Sequence, residues 1–113
     1  MYPYVRHLGG VSLFDFRGFE PHRYQEDYPL STWWTFVPYV QAWSESVWIE
    51  IDQSALGENY VSAEDLISRH RRDKAYKHMI MPMIEAACIG PVPVTACRRV
   101  LIASDADPNL RPL

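Results

Sequence analysis

Several things are scarce in this 113-residue chain, and each scarcity removes a class of protein. Two cysteines, Cys88 and Cys97, are too few to staple a small secreted scaffold, so the expected compartment is a reducing one, the cytoplasm. No apolar run approaches the roughly 20 residues that cross a bilayer, and no basic-then-apolar opening marks a signal segment, so no membrane association is expected. Neither sign of charge dominates: 11 Lys and Arg against 14 Asp and Glu leave a net charge of −3, which gives no general attraction to nucleic acid. Repeats and low-complexity tracts are absent, and the prolines are scattered as punctuation. Without a Walker loop, a GxSxG elbow or a GxGxxG turn, P-loop, hydrolase and Rossmann chemistries have no support.

What is present describes a globular domain. The 48% hydrophobic and 22% charged fractions are ordinary for a folded chain of this length, read as one compact domain over 1–104 with a frayed polar tail over 105–113. Aromatic residues are plentiful, with 4 Trp and 7 Tyr. Rings in that number either thicken a small core or line a pocket or interface. Exposed rings are compatible with a homodimer, although no heptad demands one.

Along the chain, 2–16 alternates aromatic and β-branched residues around Gly9-Gly10, which predicts two short strands, or a strand and a loop, meeting where backbone comes close to a neighbour. Residues 17–29, with Pro21 and Pro29, read as a surface loop. Trp33 to Val37 is a run of strand formers, and Pro38 fits the first turn of a short helix. Apolar residues at Val47, Ile49 and Ile51 predict a strand in the middle of the sheet. Ser62-Ala63-Glu64-Asp65 is a capping box opening a helix that carries Leu66, Ile67, Tyr76, Met79 and Ile80 inward and ends at Pro82. A strand over 84–89, a helical turn over 93–97 and a closing strand over 99–103 complete an α+β fold: a small mixed or antiparallel sheet with a few short helices.

Arg69, Arg71, Arg72, Lys74 and Lys77, with His70 and His78, form a basic stretch. It is either a solvated helix face balanced by Glu64, Asp65 and Asp73 or a grip for the phosphates of a nucleic acid or a dinucleotide. On a straight helix, His70 and His78 are two turns apart, too far to share one ion, so no metal is expected. Cys88, on an apolar strand, reads as packing.

Three passages together resemble the ADP-ribosyltransferase superfamily. Val5-Arg6-His7-Leu8-Gly9-Gly10 is similar to its His- or Arg-bearing first strand. The passage from Trp34 through Val47-Trp48-Ile49-Glu50-Ile51-Asp52 to Leu56 resembles its strand, short helix, strand line. Ile84-Glu85 through Pro91-Val92-Pro93 resembles the catalytic-Glu strand and Pro-x-Pro turn of DarT-type DNA ADP-ribosyltransferases and KptA-type RNA 2′-phosphotransferases. Two departures stand against it: no Ser-Thr-Ser triplet occurs, only Ser31-Thr32-Trp33, and Met83 stands where arginine-directed members carry Gln or Glu.

The resemblance implies NAD as cofactor and a macromolecular acceptor, nucleic acid or protein, in a toxin or a factor of phage and host conflict. Glu85 would be the catalytic residue, stabilising the oxocarbenium-like ribose as nicotinamide leaves. His7 would hold a ribose hydroxyl, Arg6 would face the pyrophosphate or the acceptor, and Trp34, Phe36 or Tyr39 would stack on nicotinamide. Arg69, Arg71, Arg72 and Lys74 would meet acceptor phosphates. The rival reading is a non-catalytic interaction or inhibitor protein, of the kind phages use against a host complex, working through an aromatic loop and the basic helix.

Overall fold

The computed structural model describes residues 3–30, 45–104, 107 and 109–113. Its fold is α+β: short helices accompany two three-stranded sheets whose strand pairings all run antiparallel. Where the sequence reads as one domain over 1–104, contacts gather into two compact units, one of 1–31 with 56–92 and the other of 32–55 with 93–113.

In the first unit, helix α1 (Tyr4–His7) leads into strand β1 (Gly10–Phe14). The single helical turn stands where a strand or a loop is expected. Pro3 enters it with extended dihedrals, and the Tyr4 amide donates to the Met79 carbonyl at 2.8 Å. Tyr4 and Val5 are then fully buried, so tertiary packing overrides the strand preference of Tyr and Val. The close approach expected at the glycines is real at Gly10, where a Cβ would meet the Cys88 carbonyl oxygen at 2.9 Å.

Helix α2 (Pro21–Asp27) occupies the segment read as a loop. Glu20 caps it by accepting from the His22 and Arg23 amides at 3.1 and 2.7 Å, and Pro21 sits in the first turn, where its missing N–H costs nothing. Its buried Tyr24 donates to the Pro82 carbonyl at 2.6 Å, fixing the helix to the rest of the unit.

Strand β3 (Tyr60–Val61) and strand β4 (Glu85–Ile89) complete the first sheet in the order β1-β4-β3. Between them lies helix α3 (Ala63–Arg72), which Ser62 caps by accepting from the Asp65 amide at 3.1 Å. Ala63, Leu66, Ile67 and His70 make one buried face at helical spacing, and Leu66 meets Tyr4, Val5, Val61 and Ala87 in the core.

The helix stops eight residues before Ile80, the last residue assigned to it from sequence. The Lys74 amide donates to Arg71 O at 3.1 Å and the Ala75 amide to His70 O at 3.0 Å, the paired bonds of a Schellman motif. That motif puts Lys74 in the left-handed region at φ 51°, where glycine is usual. With no glycine present the stop is hidden in the sequence, and Tyr76, freed from the helical phase, is 72% exposed instead of buried.

The second unit holds strand β2 (Glu45–Ile51), strand β5 (Cys97–Ser104) and strand β6 (Arg111–Pro112) in the order β2-β5-β6. Among the described residues strand β2 pairs with β5 alone, at the end of this order, where the sequence placed it in the middle of the sheet. A register irregularity at Glu50/Ile51 brings two successive arginines to one carboxylate: Arg99 Nε lies 2.8 Å and Arg98 Nε 3.8 Å from Glu50. Within the segment expected to fray, Arg111–Pro112 pair as β6, with the Arg111 guanidinium donating to Asp107 O at 3.1 Å and Ser104 Oγ at 3.2 Å. No helix among the described residues is long and apolar enough to cross a membrane.

Candidate functional site

The described cleft lies in the first unit, where α1 meets the end of α3 and the turn that follows it. Its volume is about 350 Å³, and Tyr4, His7, Asp73, Lys74, Tyr76, Lys77 and His78 contribute to its walls. Each side chain is placed by an element already described. The helical turn of α1 buries Tyr4 at the base and leaves His7 exposed at the rim. The Schellman motif turns the chain so that Lys74, Tyr76 and Lys77 follow one another along the opposite wall.

Hydrogen bonds hold the base and the turn. Tyr4 donates its hydroxyl to Asp73 Oδ2 at 2.5 Å. Burial first, then this bond and the Asp73 charge, push the Tyr4 hydroxyl up to about 12, against the pull of Arg69 and Arg72. His70, itself buried, bonds through Nε2 to the His78 carbonyl at 3.0 Å, and the His78 amide donates to Ala75 O at 2.9 Å. The His7 and His78 rings stack at a centroid distance of 4.3 Å with 22° between their planes. The Tyr4 ring meets His70 edge-on at 5.1 Å.

The charge around this cleft is positive. Residues 69–78 hold five Lys and Arg against the single acid Asp73, a formal +4 in a chain of net −3. Arg72 lies 4.0 Å from Asp73, whereas neither Lys74 nor Lys77 has an ion pair among the described residues. Two ammonium groups, two imidazoles and an exposed phenol ring form a wall suited to phosphate oxygens and a planar group. No group of three or more His, Cys, Asp or Glu among the described residues is placed to hold a metal ion.

The residues singled out from sequence separate on this geometry. His7 and Lys74 meet at the cleft. Arg6 is exposed on α1, and Arg71 and Arg72 are exposed on the last turn of α3, with Arg69 half-buried beside them. Trp34, Phe36 and Tyr39 lie outside the described residues.

Glu85 is elsewhere. It opens β4 opposite Phe14, whereas α1 enters the sheet through Gly10, opposite Ile89, four residues and roughly 13 Å along the same strand. The Glu85 carboxylate is buried, with Oε2 accepting from Ser12 Oγ at 2.6 Å and Oε1 from the Met81 amide at 2.9 Å. It is not among the residues that line the cleft. Tyr4 and Tyr76 are the cleft residues that sequence reasoning missed. The one signal for Tyr76 was its place between Lys74 and Lys77, and helical phase assigned it inward.

Compared with known proteins, the chain matches no family model, no curated protein and no solved structure.

Proposed function

We propose that this chain is a binding protein that grips a phosphate-bearing ligand in the cleft between α1 and the turn after α3. One observation carries the reading: Lys74 and Lys77, without ion pairs among the described residues, line the same cleft as the stacked His7 and His78. The turn backbone is already ordered, so binding an anion there orders only the lysine side chains. Tripolyphosphate is the direct probe. Calorimetry at low ionic strength is expected to show binding that Lys74→Gln with Lys77→Gln weakens roughly tenfold or more. Absence of binding at millimolar probe rejects the reading.

A second reading is NAD-dependent ADP-ribosyl transfer to a macromolecular acceptor, in a cytoplasmic toxin or conflict factor. Its support is that His7, the residue matched to ribose binding, lies in the same cleft as Lys74, and NAD carries a pyrophosphate. Glu85 would stabilise the ribosyl cation from outside the cleft walls, which requires the ligand to extend toward β4. Release of free nicotinamide from NAD, abolished by Glu85→Gln in a folded protein, is the result this reading expects. NAD left intact by wild-type protein removes it while leaving phosphate binding standing.

A further inference from the structure

Building on the phosphate grip above, we propose that the ligand is a single strand of nucleic acid and that Tyr76 is the platform on which one of its bases stacks. A tyrosine that is 72% exposed leaves most of its ring open to a ligand. Its described ring contact is edge-on, to His70 at 6.4 Å and 76°, and no ring among the described residues lies flat against it.

The backbone around Tyr76 is fixed on both sides. Ala75 N is bonded to His70 O, His78 N to Ala75 O, and His78 O to the His70 ring. Lys74 and Lys77 flank the ring within this pinned turn, and Arg71 and Arg72 continue the positive charge up α3. An exposed ring between cations is the arrangement that holds a base by its face and its phosphates by charge, without reading sequence. A duplex keeps its base faces stacked inside, so the same wall favours an unpaired strand.

The test uses the full chain and labelled oligothymidylate and oligouridylate of about 15 nucleotides, read by fluorescence anisotropy across a salt series. Tyr76→Ala is expected to weaken binding roughly 5- to 100-fold with the salt slope unchanged, and Tyr76→Phe to keep most of the affinity. Lys74→Gln with Lys77→Gln is expected to lower the slope of log K against log salt by about 1.4, two phosphates' worth. Preference for the deoxy or the ribo strand assigns the source as DNA or RNA. The proposal is overturned if Tyr76→Ala leaves strand affinity unchanged, if a duplex binds as tightly, or if polyphosphate of equal charge competes equally well. In the last case the phosphate grip survives, whereas failure of both polyphosphate and oligonucleotide to bind removes both.

Discussion

Among the described residues, apolar side chains of the same kind are buried under the helix of the first unit and exposed on one face of the second unit's sheet. In the first, α3 packs on the sheet, and Val61 and Ala87 are 3% and 0% exposed. In the second, the outward face of β2 and β5 leaves Val47 60%, Ile49 56% and Val100 39% exposed. The valines among them have the same hydrophobicity and β preference, so the difference lies in what covers them. An apolar strand residue is buried only when another element supplies the opposite layer. The described cleft belongs to the first unit, beside its packed core.

The largest effect expected from this comparison is at Leu66, which is fully buried against Tyr4, Val5 and Ala87. Leu66→Ala should cost the first unit about 2–5 kcal/mol, seen as lost hydrogen-exchange protection in β4. Retained protection there breaks the contrast between the units.

Tyr4 comes next. Its hydroxyl is raised from 10.0 to about 12 in the folded chain, so the folded form holds the proton more tightly than the unfolded form. The resulting stability is complete below pH 10 and is lost as pH rises through about 12, a change of about 2–3 kcal/mol. Urea titrations across that window should show the loss in wild type, and Tyr4→Phe should remove this component of the slope.

Lys74→Gly should act in the opposite direction. Relief of the left-handed φ is worth about 1 kcal/mol, partly offset by the extra freedom of an unfolded glycine, so a net gain of a few tenths is expected by urea unfolding, together with weaker tripolyphosphate binding. The smallest effect is expected in the second unit, where Ile49→Thr should change stability by less than about 0.5 kcal/mol. A loss comparable to that of Leu66→Ala would show that the exposed face is covered in solution and would remove the contrast.

The α+β class, β2, the Ser62 cap, β4 and the closing strand were legible because each carries a local signal: alternation, a capping hydroxyl, or an apolar run ended by Gly90-Pro91. The errors lie where long-range packing decides. Tyr4 and Val5 form a helical turn because it buries both, and α2 exists because Tyr24 reaches Pro82 across the unit. The end of α3 was illegible for a different reason, since lysine occupies a position where glycine is the usual marker. That one hidden stop also decided the site: reading through it turned Tyr76 inward, and the cleft disappeared from view. His7 and Lys74 were legible as polar residues of interest, but their meeting depends on the turn that was missed. Glu85 lies at the start of a strand, as the apolar run after it suggests, and its bonds to Ser12 and Met81 tie that strand to β1 and to the preceding turn.

The backbone at Lys74 also sets how its side chain is aimed. Two amide-to-carbonyl bonds fix the dihedrals there, so the Cα–Cβ vector has a set direction before any side-chain torsion is chosen. A flexible four-carbon tether thus starts from a rigid mount: its torsions still let the ammonium range, but always from one fixed origin in the cleft wall.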